Sequence, residues 1–146
     1  MIKAERRAEV RWKGTLAEGN GTLDLASGVA RDLPVTWASR TARSEGKTSP
    51  EELVAAAHAS CFSMAFSAGL TEGGTPPQEL RVSATVTFEQ TDAGFRVAGS
   101  HLDVHGTVPG IDAAGFAKAA EAAKNGCPIS QALKGNVALS VTATLE

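Results

Sequence analysis

The two cysteines, Cys61 and Cys127, are the residues of this 146-residue chain that most directly suggest chemistry. They lie 66 residues apart, a spacing that fits neither a CxxC redox pair nor a zinc site. Cys61 lies within residues 53–71, an uncharged stretch whose apolar surroundings raise a thiol pKa. Cys127 precedes Pro128 at a predicted helix start, where free backbone N–H groups lower a thiol pKa. Local context therefore favours Cys127 as the more acidic thiol, and a reactive Cys61 would need a cation from elsewhere.

Three side chains near Cys61 are candidates for a substrate pocket. His58 lies one helical turn before Cys61, where it can hydrogen-bond in a pocket or act as a base. A histidine with satisfied hydrogen bonds in a core or interface is the more frequent arrangement. Phe62 and Met64 can line an apolar pocket for an alkyl or aryl substrate, or they can pack in the core. We predict that these three residues line the pocket.

A second polar group, His101, Asp103 and His105, alternates along a predicted strand. Residues two apart in a strand share one face, and such a set can bind a metal ion. A solvated strand face is the more frequent outcome, so we predict neither a metal nor another cofactor.

The predicted elements are those of an α+β fold in a single domain over residues 1–146. Helix 50–69 is expected to begin with Ser49 as N-cap and Pro50 at its first position, and to end at Gly69. The other predicted elements are strands 5–13, 20–26, 33–40, 81–89, 95–108 and 137–145, a helix capped by Asp112 that runs to about Lys124, and a short helix 128–133.

Helix 50–69 is uncharged on every side from Leu53 onwards, so every side must be buried. One sheet can cover only one side of it, and in so short a chain a second copy is the simplest further cover. We therefore expect a homodimer with this helix near the interface. A membrane span is a poorer explanation, because the stretch is mostly Ala, Ser and Gly and contains His58.

Composition narrows the classes of partner. The net charge is −2 and the pI about 5.9, which gives no electrostatic reason to expect nucleic acid or an anionic membrane. The first ten residues are charged and show no apolar signal stretch, so we expect a cytoplasmic location. A stable structural disulfide would be unusual in that compartment.

The segments "SPEELVAAAHASCFSMAFS" and "NGCPIS" resemble the OsmC/Ohr family of thiol-dependent peroxidases. The likeness extends to "WKGTLAEGNGTL" near the start and "VALSVTATLE" at the end, in the pattern of the OsmC branch. The resemblance implies an OsmC-like fold, with antiparallel sheets wrapped around a long central helix in an intertwined homodimer.

The resemblance also implies roles for four residues. Cys61 would be the peroxidatic thiolate and Cys127 the resolving thiol, which reverses the order of acidity expected from local context. Arg40, with Arg43 as an alternative, would activate Cys61, and Glu51 would hold the arginine. Glu51 and Cys61 are ten residues apart on one predicted helix, about 15 Å along its axis. Glu51 is therefore expected to act on the Cys61 of the other subunit.

The implied activity is reduction of organic hydroperoxides, and more weakly of hydrogen peroxide, to alcohols. A dithiol would then reduce the Cys61–Cys127 disulfide. The implied physiological role is defence against oxidative or osmotic stress. The alternative is a non-catalytic dimer that binds a small hydrophobic ligand in the same groove, with both thiols structural.

Overall fold

The computed structural model describes all 146 residues, which pack into two compact units, Met1–Pro50 and Glu51–Glu146. The first unit holds a three-stranded antiparallel sheet and a short helix. Its elements are β1 (Ala8–Lys13), β2 (Asn20–Leu25), β3 (Leu33–Val35) and α1 (Trp37–Thr41), with strand order β1-β2-β3. The prediction of one domain stays a prediction.

The second unit combines helices with a second three-stranded sheet. Its elements are α2 (Pro50–Glu72, whose first residue belongs to the other unit), β4 (Glu79–Thr91), β5 (Gly94–Thr107), α3 (Ala113–Gly126), α4 (Pro128–Leu133) and β6 (Ala138–Leu145). The α+β prediction is confirmed, and the predicted elements of this unit all appear with shifts of a few residues at their ends.

Within the first unit, the strand predicted over 33–40 is wrong beyond Val35. The Oγ1 atom of Thr36 accepts a hydrogen bond from the Ser39 N–H at 3.0 Å, and the Ser39 Oγ accepts one from the Thr36 N–H at 2.9 Å. This reciprocal capping box starts α1 and turns the chain out of the sheet. Arg40 therefore lies in the last turn of a short helix instead of at the end of a strand.

The long helix α2 begins at Pro50 as predicted but continues past Gly69 to Glu72. Its end is a Schellman motif, in which the Thr75 N–H bonds the Leu70 carbonyl and the Gly74 N–H bonds the Thr71 carbonyl. Gly74 has a φ of 84°, the left-handed conformation that this motif requires and that glycine adopts without strain. The stop signal is thus the later glycine, not Gly69.

The second sheet is mixed, which corrects the expectation of antiparallel sheets only. β4 and β5 form an antiparallel hairpin, whereas β6 lies parallel to β5 on its other side. The chain between β5 and β6 runs through α3 and α4 and so returns to the end of the sheet at which β5 begins. A helical crossover of this kind produces a parallel pair.

The core of the second unit lies between α2, α3 and the inner face of the sheet. Helix α2 contributes residues four apart, which share one face. The fully or almost fully buried apolar members of this core are Phe62, Phe66 and Leu70 of α2, Leu102 and Val104 of β5, Phe116 and Ala120 of α3, and Cys127. The ring of Phe66 contacts those of Phe62 and Phe116, with centroids 5.4 and 5.0 Å apart.

A glycine of β5 allows α3 to approach the sheet closely. A Cβ atom at Gly106 would lie 2.5 Å from Phe116 Cζ and 3.1 Å from Leu80 Cδ2. We expect Gly106→Ala to lower the free energy of unfolding by about 1–3 kcal/mol, measured by chemical denaturation, because the ring must move. Gly99→Ala on the same strand is the control, since its Cβ would make an ordinary 3.5 Å contact with the Ala138 carbonyl. Equal effects of the two substitutions would contradict this account.

Candidate active site

The structure brings the two cysteines together. Cys61 lies in the middle of α2 and is partly buried, whereas Cys127 is fully buried between α3 and α4, as the N-cap residue of α4. Their thiols are close enough to shift each other's pKa. Residues that are 66 positions apart in the sequence are thus placed for sulfur–sulfur chemistry.

The surroundings of the two thiols differ in their electrostatic effect. Burial raises the pKa of Cys61, and its hydrogen bond to Cys127 acts in the same direction. Burial also opposes ionisation of Cys127, but donors around its sulfur outweigh this effect and lower its pKa. These donors are the Cys61 thiol, the Ser130 N–H and hydroxyl, and the Ile129 N–H. The N–H groups face the sulfur at the start of α4 without closing a full capping hydrogen bond.

The expectation from local context is therefore confirmed: Cys127 is the more acidic thiol in its own environment. A peroxidatic Cys61 would require a cation, as the sequence suggested. No cation of its own chain contributes to the shifted pKa of Cys61.

The predicted activating residues lie on different elements. Arg40, in α1, is partly buried, and its Cζ lies 6.0 Å from the centroid of the Trp37 ring, within cation–π distance. Arg43 is exposed in the loop after α1. Glu51 is buried, with 7% of its surface exposed, in the first turn of α2. Because Glu51 and Cys61 share α2, the separation of about 15 Å along the helix axis applies, and Glu51 does not reach the Cys61 of its own chain.

His58 is a core histidine with both ring nitrogens bonded. Its Nδ1 lies 2.6 Å from Ser100 Oγ on β5, and its Nε2 lies 2.8 Å from Ser130 Oγ on α4. The ring is fully buried, and this burial lowers its pKa. Sequence reasoning missed both serines, because a lone serine in a strand or short helix carries no signal of its own. Only the fold brings them to His58.

The three predicted pocket residues do not line a common cavity in one chain. His58 and Phe62 are fully buried in the core, whereas Met64 is 71% exposed on another face of α2. Contact with substrate by these residues stays a prediction.

The polar residues of β5 lie on the exposed face of the second sheet, as predicted. His101 Nδ1 lies 2.7 Å from Ser140 Oγ, and His105 Nδ1 lies 3.2 Å from a carboxylate oxygen of Glu146. Arg81 bonds the same carboxylate oxygen at 2.5 Å. These side chains thus bond one another across neighbouring strands.

By length and apolar composition alone, α2 could cross a membrane, as could the core helix of many soluble proteins. Only 22% of its most apolar window is buried inside the chain. One face of α2 carries the buried, hydrogen-bonded His58 and the buried Phe62 and Phe66. The other side exposes residues such as Ala57, Met64 and Ala68. That a second copy of the chain covers this side stays a prediction.

Comparisons with known proteins agree on one family. The family model of OsmC-like protein matches residues 43–142, a span that includes both cysteines. Peroxiredoxin OsmC of Escherichia coli (strain K12) is 40% identical over 134 residues, which cover 92% of this chain and 93% of that protein. An organic hydroperoxide resistance protein of Xanthomonas axonopodis pv. citri is 31% identical over 96 residues, covering 65% of this chain and 66% of that one.

Solved structures show the same fold. The crystal structure of the organic hydroperoxide resistance protein OhrB of Bacillus subtilis superposes with a TM-score of 0.74 at 26% identity, covering 96% of this chain and 98% of that one. The resemblance inferred from the two cysteine segments is therefore confirmed, and this chain belongs to the OsmC/Ohr family of OsmC-like proteins.

Proposed function

We propose that this protein is a thiol peroxidase that reduces organic hydroperoxides to alcohols, and hydrogen peroxide more weakly. The observation that carries the proposal is the closeness of the Cys61 and Cys127 thiols, which pack in one cluster and shift each other's pKa. The names of the relatives, peroxiredoxin and organic hydroperoxide resistance protein, support a peroxidase-like role.

The proposed cycle has two covalent steps. The Cys61 thiolate attacks one peroxide oxygen, the O–O bond breaks, and the alkoxide leaves and takes a proton to become the alcohol. Cys61 is then a sulfenic acid. The sulfur of Cys127 attacks that of Cys61, the S–O bond breaks, and water is released as the disulfide forms. An external dithiol reduces the disulfide and completes the cycle in the cytoplasm.

Of the two thiols, Cys61 suits the first step because it is the less deeply buried. Cys127 is fully buried, and a bulky peroxide would have to reach it through the core. The acidity of Cys127 suits the second step, in which a thiolate attacks sulfur.

The missing cation for Cys61 is assigned to Arg40, on the strength of the family resemblance. A guanidinium stays charged when desolvated, and a carboxylate can hold its planar fork. Glu51 is assigned this second role, acting from the partner subunit of a homodimer because its own Cys61 is out of reach. The open side of α2 would pack in that dimer.

The proposal is tested by thiol counting. One equivalent of cumene hydroperoxide should remove both thiols of the reduced protein within seconds, and hydrogen peroxide should act more slowly. Free thiols are counted with a chromogenic disulfide in denaturant at successive times. Two thiols that persist for minutes with either peroxide would refute the peroxidase and leave a ligand-binding dimer as the function to test.

Arg40→Ala should raise the pKa of Cys61, because a thiolate in an apolar site loses its cation. The measurement is the pH dependence of Cys61 alkylation in a Cys127→Ser background. Arg43→Ala is the matched control and should leave the alkylation profile unchanged. A shift in Arg43→Ala, with none in Arg40→Ala, would transfer the role to Arg43.

Subunit mixing tests whether Glu51 acts across the dimer. Cys61→Ser and Glu51→Ala homodimers should each be weakly active or inactive. After mixing and exchange, half of the dimers are mixed, and each contains one site with both an intact Cys61 and an intact partner Glu51. We expect recovery of about a quarter of the wild-type activity, from the statistics of a two-fold dimer. No recovery, with exchange verified by mass spectrometry, would place Glu51 in the site of its own chain or outside any site.

A further inference from the structure

A row of neighbouring polar side chains leads from the two thiols into the core of the second unit. Cys61 and Cys127 shift each other's pKa, and the Ser130 hydroxyl, at the third position of α4, acts on the sulfur of its N-cap residue Cys127. Ser130 Oγ lies 2.8 Å from His58 Nε2. On the far side, His58 Nδ1 lies 2.6 Å from Ser100 Oγ. Four of these five side chains are at most 1% exposed, Cys61 being the exception, so bulk water does not compete for their hydrogen bonds.

The direction of the donors along this row is constrained, because the Ser130 hydroxyl has a single proton. While Cys127 is protonated, the hydroxyl can donate to His58 Nε2 and accept the Cys127 S–H; once Cys127 is ionised, the hydroxyl donates to its sulfur instead. In the protonated state all donors point the same way, from Cys61 through Cys127 and Ser130 to the lone pair of the imidazole. Hydrogen bonds in one direction polarise and strengthen one another. His58 Nδ1–H then donates to Ser100, which fixes the tautomer of the ring.

We propose that Ser130 and His58 form a buried proton path that activates Cys127 for its attack on the Cys61 sulfenic acid. Ser130 is the proton carrier, and His58 is a positioning residue that acts through it and receives the charge. This inference rests on the proposed function, since it assigns a route to the proton that the resolving thiol must lose.

The proton leaves Cys127 for His58 in one step and returns to solvent in a second. Ser130 gives its proton to His58 Nε2 and takes the proton of Cys127, which leaves a thiolate and an imidazolium joined through one hydroxyl. The thiolate attacks the Cys61 sulfur, the S–O bond breaks, and the departing hydroxide takes a proton from solvent to become water. His58 then returns its proton through Ser130 to solvent, so the net products are one disulfide and one water.

The structure provides an outlet for that last proton. Ser130 borders a cleft of about 210 Å³ that is also lined by polar side chains, among them Asn125, Gln131 and Lys134. A space of this size and polarity can hold water. Ser130, itself almost fully buried, thus lies between His58 and Cys127 on one side and this polar cleft on the other.

The acidity of Cys127 tests the path without any peroxide. In a Cys61→Ser background, Cys127 is the only thiol, and the absorbance of its thiolate near 240 nm can be followed with pH even though it is buried. Ser130→Ala should raise the pKa of Cys127, and Ser130→Thr, which keeps the hydroxyl, should restore it. Ser140→Ala is the matched control, because Ser140 bonds His101 at 2.7 Å on the exposed sheet face. An unchanged titration in a folded Ser130→Ala protein would overturn the proposal.

The tautomer of His58 gives a second test that needs no substitution. Nitrogen-15 NMR of histidine-labelled, reduced wild-type protein should show His58 with a protonated Nδ1 and a bare Nε2. A protonated Nε2 with a bare Nδ1 would mean that the imidazole donates to Ser130 and has no lone pair to receive a proton. That result would overturn the path even if the variants failed to fold.

Rapid mixing with cumene hydroperoxide then separates the two covalent steps. Ser130→Ala should leave sulfenic acid formation unchanged and slow disulfide formation by about tenfold or more. Slowing of both steps alike would indicate a structural defect and contradict the assignment. If the wild-type protein forms no disulfide at all, the proposed function fails, while the titration and the NMR measurement still decide whether Ser130 and His58 set the ionisation of Cys127.

Discussion

Cys61→Ser is expected to abolish hydroperoxide reduction, lowering the rate by roughly a thousandfold or more. A serine hydroxyl at this position is a far weaker nucleophile than a thiolate, because it does not ionise near neutral pH. The position is partly buried on α2, and the substitution removes little volume, so the fold should persist. Steady-state reduction of cumene hydroperoxide with a dithiol is the measurement, with circular dichroism to verify folding.

Cys127→Ser is the matched control for that result. It should complete the first step, stop after one turnover, and hold Cys61 as a sulfenic acid that dimedone traps and mass spectrometry detects. The two substitutions should therefore block different steps of the cycle if the cysteines have the proposed roles. Exchanged phenotypes, with the trapped adduct on Cys127, would reverse the roles and would agree with the acidity that the single chain gives to Cys127.

Met64→Glu is expected to convert the protein to a monomer and to remove most of its activity. Met64 is 71% exposed in the single chain, on the side of α2 that also exposes Ala57 and Ala68. A carboxylate buried at the centre of such an interface lacks a partner, and this costs several kcal/mol. Activity would fall with the dimer if Glu51 acts from the other subunit, as proposed. Sedimentation velocity reports the assembly state, and the cumene hydroperoxide assay reports the activity.

Thr85→Glu provides the comparison, since Thr85 is exposed on the polar face of the second sheet and gains the same charge. It should leave both the sedimentation and the rate unchanged. A monomeric wild-type protein with full activity would contradict the dimer and the assignment of Glu51 together. A Met64→Glu protein that remains dimeric would move the interface away from this side of α2.

Local patterns in the sequence predicted most elements of the fold, because their signals are local. The alternation in β4 and β6 and the Asp112 cap of α3 follow from neighbouring residues alone, and the structure contains all three. The end of α2 was predicted wrongly because the sequence contains two possible helix stops, one after the other. Gly69 resembles a helix end, but the helix continues three residues further to Glu72, where the Schellman motif at Gly74 satisfies the last carbonyls.

The direction of β6 and the partners of His58 were out of reach for a different reason. Whether β6 lies parallel or antiparallel to β5 depends on the path of the chain through α3 and α4, which no residue of β6 records. Ser100 and Ser130 meet His58 from 42 and 72 residues away. The closeness of Cys61 and Cys127 was expected only through the family resemblance, for the same reason.

The meeting of Cys61 and Cys127 also has a consequence for the unfolded chain. A disulfide between them would close a loop of about 67 residues and reduce the entropy of the denatured ensemble, which corresponds to roughly 4 kcal/mol in the loop-closure model. Folding and disulfide formation are thermodynamically linked. The free energy by which the disulfide stabilises the native fold therefore equals the free energy by which the native fold stabilises the disulfide. The oxidised protein formed in each turnover would therefore be harder to unfold than the reduced protein. Its disulfide would be harder to reduce than that of a short peptide. A reductant that serves this protein needs a correspondingly low potential.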